Sequence, residues 1–154
     1  MDQALSIDDL DFKILKELKR DARLSYRKIA EKLHVATGTI QSRIQRLEGA
    51  GVIHDYHASL NYEKLGYGIT ALIATCIKRR DLDKVLEKIV GHQNVFGVFS
   101  ITGEFDLIIS AKFRDMDDLN NFVIKELSDP SIEKTVTFLV LKTHKEAHTF
   151  LSGD

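Results

Sequence analysis

Residues 25–51 read SYRKIAEKLHVATGTIQSRIQRLEGAG, two short helical patterns separated by a tight non-helical link. Ile29 and Leu33 stand four apart, and Ile40, Ile44 and Leu47 follow at i, i+4 and i+7. Each helix therefore has one apolar stripe to bury. The spacing predicts a helix-turn-helix over about 25–49. Turning 100° per residue from the second stripe places Gly38, Ser42 and Gln45 opposite it, with Gln41 and Arg46 on its shoulders. Amides and hydroxyls donate and accept, Arg binds guanine or phosphate, and Gly38 admits close approach, which are the properties needed to meet base edges and phosphates. The candidate DNA contacts are Ser25, Tyr26, Thr37, Gly38, Thr39, Gln41, Ser42, Arg43, Gln45 and Arg46. Arg43 lies near the buried stripe, where a structural ion pair is also open to it, and Arg46 is the better placed for phosphate. Between Lys19 and Arg46 there are eight basic residues and two acidic ones, a local charge of +6 in a chain of formal net charge −1. That excess sits where double-stranded DNA would lie.

Upstream, Asp8 caps a helix that runs to about Arg20, and Ile7 is spaced to staple onto Phe12. Leu10, Ile14 and Leu18 make the third wall of the small core. Ser25 caps the second helix, and Gly49 with Gly51 closes the third. Residues 1–51 are thus expected to form a three-helix, winged helix-turn-helix domain. Residues 52–66 follow as a hinge strand and linker, with β-prone Val52, Ile53 and Tyr56 but too few apolar positions for a core strand.

From Tyr67 the pattern changes. Ile69–Ile77 is apolar on both parities, a strand; Leu82, Val85, Leu86, Ile89 and Val90 make a helix capped by Asp81 and closed by Gly91. Strands at Val95–Ile101 and Leu107–Phe113 are joined by Thr102-Gly103-Glu104-Phe105-Asp106. A helix from Asp115 buries Leu119, Phe122, Val123 and Leu127 and stops before Pro130, and a last strand covers Glu133–Thr143. The order βαββαβ predicts a ferredoxin-like domain over 67–154 and an α+β chain. Both helices of such a domain cover one sheet face. Yet the last strand puts Val136, Phe138 and Val140 on one face and Leu139 and Leu141 on the other, and the second sets Val95, Phe99 and Ile101 against Phe96 and Val98. A second copy is expected to cover the open apolar face, making at least a homodimer whose two recognition helices stand about one DNA turn (roughly 34 Å) apart.

The composition, 44% hydrophobic and 29% charged over 154 residues, is that of a soluble globular chain of one or two domains. No apolar run approaches the roughly 20 residues that span a bilayer. The N-terminus lacks a signal core, so a cytoplasmic address with no membrane partner is expected. Cys76 has no intrachain partner and is expected to be buried and inert. His54/His57 and His144/His148 lack the further ligands of a metal site and read as surface histidines. Lys78-Arg79-Arg80 reads as a solvated turn.

Asp11–Leu18 (DFKILKEL), Ile40–Glu48 (IQSRIQRLE), Gly51-Val52-Ile53, the TGEFD turn at 102–106 and Val140–Thr143 (VLKT) together carry a resemblance. Over essentially its full length the chain resembles the Lrp/AsnC (feast/famine) family of transcription regulators. The resemblance implies a sequence-specific DNA-binding regulator without catalysis or cofactor, a dimer that assembles into octamers or larger, and a small-molecule effector, usually an amino acid. It places the effector near the hairpin turn, between neighbouring dimers. Carried over, Gly103, Glu104, Phe105 and Asp106 become the effector site, with Thr135 and Thr137 nearby. An acid for the ammonium and turn N–H groups for the carboxylate suit an α-amino acid. Phe105 stands where the family often has Tyr, so a hydroxyl contact is missing. Ala36 stands where relatives often have a capping Ser, and Thr37 is expected to substitute, starting the helix one residue later. A rival reading is an enzyme resembling the siroheme decarboxylases, which share the two-domain layout; that chemistry calls for His and Arg converging on a large apolar cavity.

Overall fold

The computed structural model describes residues 6–146 and Leu151. The described residues fall into two compact units divided between Ser59 and Leu60. In the first, α1 (Asp9–Arg20), α2 (Tyr26–Leu33) and α3 (Thr37–Gly49) enclose a core of Ile14, Ile29, Ala30, Ile40 and Ile44. Asp8 and Asp11 form a reciprocal capping box at the start of α1. Ser25 Oγ accepts from the N–H of Lys28 to cap α2. α3 begins at Thr37 with Ala36 at the cap and no side-chain bond there, so Thr37 does not displace the start. Of the two glycines expected to close α3, Gly49 is its last residue, and it is Gly51 that takes the left-handed conformation (φ 68°). His34, which ends α2, is also left-handed (φ 56°), a conformation that makes the turn tight without glycine.

Residues 52–60 form neither a strand nor a wing, which corrects the hinge-strand expectation. Among the described residues no strand pairs with them; Val52 and Ile53 donate their N–H groups to the carbonyl of Leu47, and Tyr56 donates its hydroxyl to Glu48 Oε1 on α3 at 2.8 Å. One 3₁₀ turn follows at Glu63–Leu65.

The second unit runs β1 (Ile69–Ile77), α4 (Leu82–Val90), β2 (Val95–Ser100), β3 (Leu107–Phe113), α5 (Met116–Glu126) and β4 (Ile132–Leu139). Its antiparallel sheet has the order β2-β3-β1-β4, the ferredoxin-like arrangement. Ala71, Ile73, Leu107, Ile109, Ala111 and Phe113 pack beneath Val85, Ile89, Leu119 and Phe122 of the two helices. Asp115 caps α5 as expected, whereas Asp81 makes no capping bond and pairs with Arg80. Gly91 closes α4 without a left-handed turn (φ −79°).

Strict alternation fails on β2. The register shifts between Val95 and Gly97, so Val95 and Val98 face the helices while Phe96 and Phe99 share the open face. Gly97 makes room for this, because a Cβ there would lie 2.8 Å from the Phe99 ring. β4 ends at Leu139 rather than Thr143, and among the described residues beyond Val140 no further ladder bond to β1 forms. The open face then carries Leu72, Ala74, Phe99, Ile108, Val136 and Phe138, placed together by cross-strand pairing. Among the described residues no helix is long and apolar enough to cross a membrane.

Candidate nucleic-acid interface and ligand turn

On α3 the stripe of Ile40, Ile44 and Leu47 is fully buried, which fixes the rotation of the helix. Thr37, Gly38, Thr39, Gln41, Ser42 and Gln45 are all exposed as a consequence. Among the described residues a Cβ on Gly38 would meet nothing within 4 Å, so their packing does not require glycine there. Tyr26 is exposed at the start of α2 beside the capping Ser25.

Arg43 and Arg46, expected at the DNA surface, are turned instead toward α1. Asp11 is 0% exposed. Its Oδ1 accepts from Arg43 at 3.1 Å, and its Oδ2 accepts from Arg46 at 2.5 Å and from the N–H of Asp8 at 3.0 Å. Arg43 also reaches Asp8 Oδ2 at 2.5 Å, and Arg46 donates to the carbonyl of Ser6 at 3.2 Å. A carboxylate taken from water must be paired, and that requirement claims both guanidinium groups. The hydrogen bond from Arg43, helped by the N–H of Asp11, holds the Asp8 carboxyl down at about 2 and pushes the guanidinium of Arg43 up. Glu17, the other buried acid of α1, takes Lys32 of α2 and Arg20, and the hydrogen bond from Lys32 lowers its carboxyl. Arg27 pairs with Glu31. Five of the eight basic residues counted between Lys19 and Arg46 are thus engaged within the unit, and the charge offered to phosphate is smaller than the sequence count. The missed signal was positional: Asp11 falls on the same helical stripe as Ile14 and Leu18, where an acid needs a partner.

In the second unit, β2 and β3 are joined by the turn at 101–106, with Gly103 at φ 119°. Asp106 builds this turn. Its N–H donates to the carbonyl of Thr75 at 2.9 Å, and its Oδ2 accepts from the N–H of Ile77 at 2.7 Å, where the β1–β4 register shifts after Cys76. One carboxylate oxygen is therefore committed to backbone. Glu104 is exposed and pairs with Lys134 of β4, whose ammonium lies 5.0 Å from the Phe105 ring centroid. The hydrogen bond to Glu104 pushes the Lys134 ammonium up. Cys76, half-buried rather than buried, is the cross-strand partner of Lys134 and donates its thiol to the carbonyl of Glu104 at 3.2 Å. Lys134 was not singled out from the sequence, and only the strand register reveals it.

Thr135 pairs with Thr75, which keeps it close to Asp106. Thr137 does not join the turn. It pairs with Ile73 and lines a groove of about 280 Å³ with Met116, Leu119, Asn120, Val123 and Leu139. Among the described residues no group of three or more His, Cys, Asp or Glu could hold a metal ion, and His148 lies outside them.

A third helix with an uncharged polar outer face, seated on a buried isoleucine stripe, is the reading element of a helix-turn-helix transcription regulator, here followed by a ferredoxin-like ligand domain. The description "AsnC-type helix-turn-helix domain" matches residues 7–48, and "Lrp/AsnC ligand binding domain" matches residues 70–150. The chain belongs to the Lrp/AsnC family of transcriptional regulators. It is 47% identical over 142 residues to an uncharacterized HTH-type transcriptional regulator of Pyrococcus furiosus, covering 92% of this chain and 96% of that one. A transcriptional regulator from Neisseria meningitidis, solved as its L-Met complex, superposes with a TM-score of 0.90 at 27% identity, covering 95% of this chain and 97% of that one. AsnC of E. coli superposes with a TM-score of 0.87 at 26% identity, covering 94% and 99%.

Proposed function

We propose that the protein reads a specific, near-palindromic DNA site as a homodimer or higher assembly, and that an amino acid taken up at the Gly103–Asp106 turn alters its assembly or its affinity for that site. The outer face of α3 carries the DNA reading: Gln41, Ser42 and Gln45 are exposed, uncharged groups that both donate and accept, and Gly38 leaves room for a close approach. Arg43 and Arg46 position α3 against α1 in this reading. Replacing Gln45 with Ala is expected to relax discrimination at one base pair by about 1–3 kcal/mol. Fluorescence anisotropy on a set of singly substituted duplexes measures this, and an equal loss on every duplex would remove Gln45 from base reading. Arg46→Ala should lower the stability of the first unit and leave the salt slope of DNA binding unchanged.

At the turn, Glu104 and Lys134 supply one charge of each sign beside an aromatic ring. An exposed ion pair is cheap to open, and a zwitterion restores both bonds, its ammonium taking Glu104 and its carboxylate taking Lys134. Asp106 holds the turn, with Gly103 and Phe105 presenting it and Thr135 beside it. The L-Met complex of the Neisseria relative supports an amino acid in this role. A thermal-shift screen of the full chain against the twenty amino acids tests it, since a ligand of the folded state adds RT ln(1 + [L]/Kd) to stability. At least one amino acid is expected to raise the melting temperature, and Lys134→Met is expected to abolish the shift. No shift with any of the twenty defeats the effector reading, whereas an equal shift in the variant moves the ligand away from Lys134.

A further inference from the structure

Lys112, near the end of β3 remote from the turn, is only 8% exposed. An ammonium withdrawn from water needs compensation on every side. Here four groups provide it. The Nζ lies 4.9 Å from the Tyr62 ring centroid and 5.0 Å from that of Phe96, 3.3 Å from Thr70 Oγ1, and 3.3 Å from Glu146 Oε1. Two aromatic faces, a hydroxyl and a carboxylate would be an unusual surround for a lysine that merely fills space; a methionine would pack the same stem without charge.

The partners come from separate parts of the unit. Phe96 and Thr70 belong to β2 and β1, which flank β3. Tyr62 belongs to the segment by which the chain enters the unit, and Glu146 to the segment that follows β4. The entering segment is itself folded tightly: the N–H groups of Leu65 and Tyr67 both donate to the carbonyl of Tyr62. Arg114, two residues beyond Lys112, lies 5.6 Å from the Tyr67 ring centroid. The far end of β3 thus holds this segment at two tyrosines. Its near end follows directly on Asp106, which the turn fastens to β1.

We propose that Lys112 is a clasp that fixes the entering and leaving segments of the ligand domain to β3, and that through it a disturbance of the Asp106 turn reaches the linker toward the helix-turn-helix. The relay rests on the turn as the responsive site; the clasp does not. One strand carries the coupling, with no rearrangement of the helices required.

Hydrogen exchange on the full chain tests both parts without any ligand. Lys112→Met is expected to speed amide exchange in residues 60–67 and 140–146 at least tenfold while the β1–β3 ladder keeps its protection, and Lys112→Arg is expected to restore the slow rates. Unchanged exchange in those segments overturns the clasp, and so does equal acceleration across the whole sheet, which would mark Lys112 as a general packing residue. The relay is read from a double-mutant cycle. Asp106→Ala should speed exchange at 60–67 at least threefold in the protein that keeps Lys112 and have no further effect in the Lys112→Met background. Equal effects in both backgrounds overturn the relay. If Asp106→Ala does not fold, Asp106→Asn, which keeps an acceptor for the N–H of Ile77 but not its charge, is put through the same cycle and judged by the same outcomes.

Discussion

Asp11→Ala is expected to lower the stability of the helix-turn-helix unit by about 3 kcal/mol, the low end of what breaking a buried charge network costs. For a unit this small, that loss moves the melting temperature by on the order of 25 °C. The low end applies because the guanidinium groups of Arg43 and Arg46 are partly exposed and keep Asp8 and the Ser6 carbonyl as partners. What is lost outright is the return half of the capping box at the start of α1 and, among the described residues, the only carboxylate that touches both arginines. Differential scanning calorimetry on the full chain, following the transition of the first unit, checks the magnitude. A shift of a degree or two would show that the arginines contribute nothing to the docking of α3 and would return Arg46 to the phosphate contacts. The ion pairs of this unit predict an acid dependence of definite sign. Asp8 and Glu17 titrate below their ordinary values when folded. Their contribution is present above the unfolded values near 4 and is lost as pH falls through the folded ones, for Asp8 about 2. Stability of this unit should therefore decline between about pH 4 and pH 2, and less steeply in Asp8→Ala.

The elements with strong periodicity were legible from the residues alone. Ile69–Ile77, with β-branched and apolar residues on both parities, forms β1 over the same residues, and the stripe from Leu82 to Val90 forms α4. Such segments are decided by their own pattern. What stayed hidden depended on a second segment. The side of the sheet on which Phe96 and Phe99 lie follows from a bulge set by pairing with β3, which no alternation rule on β2 alone reveals. Arg46 looked like a phosphate ligand because its helix face is partly open, yet its partner lies 35 residues earlier in the chain. Lys134 and Cys76 meet only through the β1–β4 register, so the apolar strand that offered Thr135 and Thr137 to the site also carries the cation opposite Glu104. The expected cap at Asp81 failed for a local reason that is equally invisible in one dimension, a 3₁₀ turn at Arg79–Asp81 running straight into α4.

Phe138→Glu is expected to separate the homodimer proposed to form through the open sheet face. Phe138 is 52% exposed, pairs across the strands with Leu72, and lies in one apolar field with Val136, Ile108 and Phe99. A field of that kind left in water marks an association surface. Helices already occupy the opposite face, so a second copy of the same sheet is the partner that makes the contact self-complementary. Each copy would bring one Phe138. Losing the burial of one ring costs about 2 kcal/mol, and bringing a carboxylate into this apolar field adds at least as much. The sum over a symmetric pair is on the order of 8 kcal/mol, so the dissociation constant should rise by at least about 10⁵-fold. The fold of the isolated chain should be untouched, because the substituted side chain points away from the core under α4 and α5. Sedimentation at micromolar concentration is the measurement: a dimer or larger for the wild type, a folded single chain for Phe138→Glu, with unchanged far-ultraviolet circular dichroism. On DNA the separated chains should lose the advantage of a paired half-site, since linking two weak contacts is what turns half-site binding into operator binding. A wild-type chain that sediments alone would leave the apolar face unexplained and take the near-palindromic site with it. A variant that still pairs would place the contact on another surface, the edge of β4 beside α5 being the next apolar candidate.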